Sequence, residues 1–288
     1  MPYFKAGDET SLYYRDWGQG RPVVLLASQG LSSGMWQHLM SGLVDAGFRC
    51  LAYDRRGHGR SDEPRDGYDF DTLADDLAAL MSHVDVREAT LVGHSMGGAE
   101  IVRYLTRHGS QRVSRIALVS ATLPFLLRTD ENPGGIDRSV FEGVWAEWGR
   151  DWPGWIAANT PPFVGAGLPA CHVSPEIVAW GTRDMERTSL YALSRCSRIV
   201  VETDFRAELA EVRVPALVIH GTADASNPID LCGRRSAQIL PAAALAVYDG
   251  APHGLFITHL PRLLDDIRGF AAAAAEGSRV TTDHQFTG

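Results

Sequence analysis

Apolar and polar positions change period several times along the chain, and each change marks an element. Residues 3–6 and 12–17 alternate around Gly7-Asp8-Glu9, the pattern of a β-hairpin. After Pro22 comes Val23-Val24-Leu25-Leu26, apolar without interruption, which predicts a strand covered on both faces and hence a parallel sheet. Residues 28–34 are a Ser/Gly-rich loop, 35–46 carry a helical period that stops at Gly47, and 48–53 read as the next strand. Asp71 and Thr72 are placed to cap a helix running to about Val84, with Leu73, Leu77 and Leu80 on one face. Residues 89–92 form an apolar strand, followed by a helix to His108 with Ile101, Val102, Tyr104 and Leu105 on one face, and 113–120 read as a strand again. Strand and helix thus alternate from 22 to 120, which predicts a doubly wound α/β core.

From 121 to 201 the alternation stops. Five of the seven tryptophans fall here, Trp145, Trp148, Trp152, Trp155 and Trp180, among Pro/Gly-rich turns. This segment reads as an inserted helical lid, whose tryptophans either form its own small core or supply an apolar pocket; the two readings are compatible. The core resumes with a short helix at 205–211, a strand at 215–220, a helix begun by Asn227 and Pro228 that ends before Pro241, a strand at 245–248 and a helix at 261–275. The expected organisation is a core of 1–120 and 202–275, a lid of 121–201, and a polar, disordered tail of 276–288.

Composition narrows the function more than the fold. The chain has 288 residues, 45% of them hydrophobic, enough for a large core. Lysine and arginine number 27 against 35 acidic residues, a net charge of -8, and no basic stretch is dense enough to follow a phosphate backbone, so nucleic acid is not an expected partner. No apolar run approaches the roughly 18 residues that cross a bilayer, and MPYFKAGDET lacks the features of a secretion signal. A soluble, cytoplasmic protein without membrane partners is expected. Cys50, Cys171, Cys196 and Cys232 are scattered, with no CxxC pair and no zinc spacing, so they read as reduced thiols and no metal is expected. The loop from Asp54 to Ser61 imitates a dinucleotide fingerprint, but Asp62 replaces its third glycine and no helix follows at once; it reads as a structural loop with surface arginines.

The chemistry concentrates at Gly93-His94-Ser95-Met96-Gly97, a Gly-x-Ser-x-Gly between strand and helix. Such a turn is sharp and strained; its glycines let strand and helix backbones approach, the serine is exposed, and the next amide faces a developing oxyanion. Ser95 is therefore read as a nucleophile. It needs a histidine base and a carboxylate behind that base, which in this architecture follow in the order Ser, Asp or Glu, His, on loops after strands. His38, His58 and His83 precede the serine, and His94 adjoins it, where neighbouring side chains diverge. His108 ends the elbow helix, His172 is in the lid, His220 ends a strand and His284 is in the tail. His253, in Gly250-Ala251-Pro252-His253-Gly254 after the last strand, is the expected base, ahead of His259 at the start of the last helix. Asp224 follows the preceding strand and is the expected acid; Asp230 reads as a helix-face charge, and Asp249 is too close in sequence to His253 to orient it.

These residues together resemble the α/β-hydrolase superfamily. Within it, MPYFKAGDETSLYYRDWGQGRPVV, AYDRRGHGRSDEP, LVGHSMGGAEIVRYLTRHGSQRVSRIALVSA, Thr203-Asp204-Phe205, VPALVIHGTAD and GAPHGLFITH are similar to the cofactor-free bacterial haloperoxidase, arylesterase and γ-lactamase group. The resemblance covers nearly all of 1–275 and is weakest at 136–200. It implies an α/β-hydrolase fold, a Ser95–Asp224–His253 triad, and hydrolysis of small-molecule esters, lactones or lactams, with perhydrolysis as a side activity and no metal, haem or other cofactor. The family usually carries His-Gly after its first long buried strand, then a residue whose amide is the second oxyanion donor. Here Ala27-Ser28-Gln29 stands there, which puts Gln29 at the donor position beside Met96. Drift in a tolerant loop and a pocket adapted to a polar substrate such as a lactone both account for the change. A serine nucleophile argues against the epoxide hydrolases and haloalkane dehalogenases of this fold, which use aspartate. Topology suggests Phe125, Trp155, Phe163 and Leu255 as pocket residues. The alternatives are a cofactor-free oxygenase using the His253/Asp224 dyad and a small-molecule receptor with residual hydrolysis. A homo-oligomer is open on this reading.

Overall fold

The computed structural model describes residues 2–273; the expected polar tail lies outside the described residues. Eight strands form one sheet: β1 (Tyr3–Lys5), β2 (Ser11–Trp17), β3 (Arg21–Leu26), β4 (Phe48–Tyr53), β5 (Ala89–His94), β6 (Val113–Val119), β7 (Ala216–Gly221) and β8 (Ala243–Tyr248). Their spatial order is β1-β2-β4-β3-β5-β6-β7-β8. The hairpin joins β4 antiparallel, and every pairing from β4 to β8 is parallel. From β3 the chain moves outward to β4, then crosses back over β3 to β5 on its other side. The loops after β3 and β5 therefore diverge at one edge, where this sheet type leaves a crevice.

The two-residue period of the strands decides which face each side chain covers. Val23 and Leu25 pack into one layer with α1 (Gln37–Asp45) and α10 (Leu260–Ala272). Val24 and Leu26 pack into the other, against α2 (Phe70–His83), α3 (Met96–His108) and α7 (Arg206–Ala210). That is the doubly wound core the apolar runs predict.

Four local expectations need correction. The cap of α2 is Asp69, whose carboxylate accepts from the Thr72 amide at 2.9 Å, not Asp71 or Thr72. Helix α8 runs Gly233–Ile239 rather than starting at Asn227. The last helix is preceded by the separate turn α9 (Leu255–Thr258). Arg55 and Arg56 are not surface groups. They are 2% and 0% exposed, because Glu100 on α3 and Asp76 on α2 neutralise them inside the core.

Residues 121–201 add no strand to the sheet. They form α4 (Arg138–Phe163), α5 (Pro175–Met185) and α6 (Leu190–Glu202). Asp151 breaks the helical dihedrals of α4 (φ −154, ψ 76), and its carboxylate accepts from the Gly154 amide at 2.9 Å, so a second helical run starts there with Pro153 in its first turn. No helix among the described residues is long and apolar enough to cross a membrane.

Candidate active site

Ser95 sits between β5 and α3 with φ 55 and ψ −121, a conformation that costs a non-glycine residue on the order of 1–3 kcal/mol. The surroundings enforce it. The Ser95 amide donates to Val119 at 3.0 Å, and the Ser95 carbonyl accepts from Gly98 and Thr122 at 3.1 and 3.2 Å. A side chain at Gly93 would lie 2.4 Å from the Gly97 carbonyl oxygen, and one at Gly97 would lie 2.7 Å from that of Leu26, so neither position admits a Cβ. Met96 opens α3, and its amide has no intrahelical acceptor. Across the crevice, Gln29 follows β3. No hydrogen bond among the described residues uses the amide of Gln29 or of Met96.

The loop after β7 holds Asp224 and the loop after β8 holds His253. His253 Nδ1 lies 2.8 Å from Asp224 Oδ2, while Asp224 Oδ1 accepts from the amides of Ser226 and Asn227 at 3.0 and 2.8 Å. Burial alone would raise the Asp224 pKa. The neighbouring His253 and His220 outweigh it and hold the carboxyl well below the usual carboxylate range. An ionised Asp224 keeps the proton on His253 Nδ1 and leaves Nε2 as the acceptor. Ser95 and His253 face one cavity of about 200 Å³, with no hydrogen bond formed between them. Catalytic contacts of this kind often tighten only once a substrate is bound.

Several residues set aside on sequence grounds hold this arrangement. His94, expected to diverge, donates from Nε2 to the His253 carbonyl at 2.8 Å, and its ring lies edge-on to the His253 ring at 4.7 Å. Burial, with the nearby His253, lowers its pKa to about 3, so it is a neutral prop. His220 donates from Nε2 to the Asn227 carbonyl at 2.7 Å and lies 3.4 Å from Asp224. Asn227 in turn donates its side-chain amide to Ser120 at 2.8 Å. The Asp-x-Ser-Asn-Pro run is the sequence signal for such a turn, and the helix expected at Asn227 gives way to it.

The cavity roof comes from 121–201. Trp155 and Phe163 line it, together with Trp148, Trp152, Met185 and Leu193. The Phe163 ring stands edge-on to His253 at 5.1 Å, and the Gly254 amide donates to the Phe163 carbonyl at 2.7 Å. Gln29 reaches from the floor to the roof, donating from Nε2 to the Leu193 carbonyl at 3.2 Å. Phe125 and Leu255 do not line the cavity. Phe125 packs with Leu127 and Val201 in a separate cluster, and its neighbour Leu126 faces the cavity in its place. Leu255 opens α9 and is turned under the base loop into the layer beneath, wholly buried. A larger groove of about 440 Å³ beside Leu105 and Val212 holds neither Ser95 nor His253.

Residues 21–159 match the alpha/beta hydrolase fold family. The chain is 41% identical over 268 residues to a non-heme chloroperoxidase of Kitasatospora aureofaciens, covering 88% of this chain and 93% of that one. The chain belongs to the α/β-hydrolase family. This α/β hydrolase is also 34% identical over 277 residues to a bifunctional esterase/perhydrolase of Acinetobacter calcoaceticus, covering 94% and 99% of the two chains. The crystal structure of a bromoperoxidase from Bacillus anthracis superposes on the hydrolase with a TM-score of 0.89 at 31% identity, over 93% of this chain and 98% of that one.

Proposed function

We propose that this α/β hydrolase cleaves carboxylic esters, lactones among them, through an acyl-enzyme on Ser95. The observation that carries the reading is a buried Asp224 carboxyl bonded to His253 Nδ1, with His253 and the strained Ser95 facing one cavity. Ser95 Oγ attacks the substrate carbonyl while His253 Nε2 takes its proton, and Asp224 stabilises the imidazolium. The unused amides of Gln29 and Met96 donate to the oxyanion; loss of one such donor costs about a hundredfold or more in turnover. His253 then protonates the departing alcohol, and water, deprotonated by the same nitrogen, releases the acid. Hydrogen peroxide in place of that water gives a peracid from the same acyl-enzyme, which is how the relative named esterase/perhydrolase bears on this chain.

Residues 121–201 act in this reading as the lid, and Trp155 and Phe163 sort the acyl or alcohol group in an apolar pocket. Unused amides at Gln29, on the cavity wall, and at Met96, next to Ser95, favour hydrolysis through an oxyanion over a dyad oxygenase or a receptor. The four unpaired cysteines suit a reducing, cytoplasmic setting. A fluorophosphonate should inactivate the enzyme with a single adduct on the peptide that contains Ser95, absent from Ser95→Ala. Full inactivation with the adduct on another residue would sink the assignment.

A further inference from the structure

The mechanism uses two amides that lie 67 positions apart in sequence, Gln29 and Met96, and leaves unused a buried arginine that touches the loop of the first and the helix of the second. Arg55 is 2% exposed and Glu100, its partner, is fully buried. Arg55 Nε donates to Glu100 Oε1 at 2.6 Å, and Tyr53 donates its hydroxyl to Glu100 Oε2 at 3.1 Å. The outer nitrogens of Arg55 donate to the carbonyls of Ala27 at 2.9 Å and Ser28 at 3.3 Å.

The second of these bonds has a geometric consequence. The Ser28–Gln29 peptide is trans, so its carbonyl and its N–H point in opposite directions. Arg55 and the Leu31 amide, which also donates at 3.3 Å, hold the Ser28 carbonyl, so the Gln29 N–H is directed away from both and stays unpaired on a residue that lines the cavity with Ser95. Glu100 stands four residues after Met96, one turn along the same face of α3. The guanidinium fork therefore references the Gln29 amide to the helix whose first amide is the other donor. We propose that Arg55, held by Glu100, is a positioning residue that fixes the two halves of the oxyanion hole relative to each other.

Burial energetics point the same way. A buried ion pair is weak support for stability, since apolar replacements of similar volume are often neutral or better. Arg56 supplies an internal comparison. It is as buried as Arg55 and pairs with Asp76 and Asp8, yet it bonds no part of 27–30. If these arginines only filled the core, the two would be equivalent. The proposal separates them.

The inference rests on Ser95 being the nucleophile, so Ser95→Ala is measured alongside. The variants are Arg55→Met, Arg55→Lys, Glu100→Gln and, as the control, Arg56→Lys. Each is tested for kcat and KM on p-nitrophenyl acetate, for inhibition by a trifluoromethyl ketone, which becomes an oxyanion on the serine, and for inhibition by the product acetate. Arg55→Met should lose about a hundredfold in kcat with KM within about threefold, and should lose ketone affinity in proportion while acetate inhibition stays unchanged. Arg55→Lys and Glu100→Gln should show smaller losses of the same kind and carry the test if Arg55→Met does not fold. Arg56→Lys should keep kcat. Equal losses in Arg56→Lys, a loss confined to KM and acetate binding, or full kcat in folded Arg55 variants would overturn the proposal. Activity surviving in Ser95→Ala would overturn the nucleophile itself, a separate failure.

Discussion

The sheet with its flanking helices and the segment 121–201 obey different rules. In the sheet, alternate residues of one strand divide between two layers, so Val23 and Val24 are committed to opposite faces by the pleat alone. In 121–201 no ladder sets direction. Helix α4 breaks at Asp151, and Trp148, Trp152 and Trp155 pack on one another with ring centroids 5.3 to 5.6 Å apart. The proposed reacting groups, Ser95, Asp224 and His253, all follow strands of the first region. The apolar wall over them comes from the second. On the proposed mechanism, the bond-breaking groups need fixed geometry and the wall over them does not, so the two should respond differently to mutation.

The largest effect belongs to the rigid part. Asp224→Asn keeps the shape but removes the charge that fixes the His253 tautomer, and kcat should fall by about 10⁴-fold with little change in KM. Steady-state kinetics check this, and a loss below tenfold would dissolve the distinction drawn above. The roof should behave otherwise. Trp155→Ala should leave kcat for p-nitrophenyl acetate within a few-fold but shift its preference against the butyrate by about 10- to 100-fold. Parallel losses on both esters would show that the wall is part of the machinery.

A smaller effect is expected where machinery and core meet. His94→Phe fits among Trp36 and Phe256 but removes the donor to the His253 carbonyl, and kcat should drop by about tenfold.

The mildest prediction concerns pH. Burial lowers the pKa of His94 and of His58 to about 3, with the neighbouring His253 and Arg55 adding to it. Below the unfolded value of about 6.5 the unfolded chain takes up protons that these two sites refuse. Stability is therefore complete above about pH 6.5 and falls as pH drops toward 3, by up to about 1.4 kcal/mol per pH unit for each histidine. Asp224, held below the carboxylate range, enters only at the acidic end of that window. Urea titrations at pH 7, 6 and 5 should show the decline, and His94→Phe should flatten it.

What could be read from sequence divides along the same line. Strands with a strict period, and a serine, an acid and a base on successive loops, are legible because the chemistry demands residue types in a chain order. That order singles out Ser95, Asp224 and His253; a hydrogen bond joins the last two, and the first and last line one cavity. The burial of Arg55 is not legible in the sequence because its partner Glu100 lies 45 residues away, beyond any local pattern. Asn227 looked like a helix start because its type suits a cap, yet its amides are spent on Asp224 and Ser120. Phe125 and Leu255 lie near the site in sequence terms, but packing, not proximity, decides which way a side chain faces.

The most direct test of the account is stopped-flow mixing of the enzyme with p-nitrophenyl acetate and butyrate, comparing wild type with Ser95→Ala. A stoichiometric burst of p-nitrophenol followed by slower steady turnover, both abolished in the variant, is the predicted result. A folded Ser95→Ala protein that keeps the burst or the turnover would contradict the acyl-enzyme on Ser95.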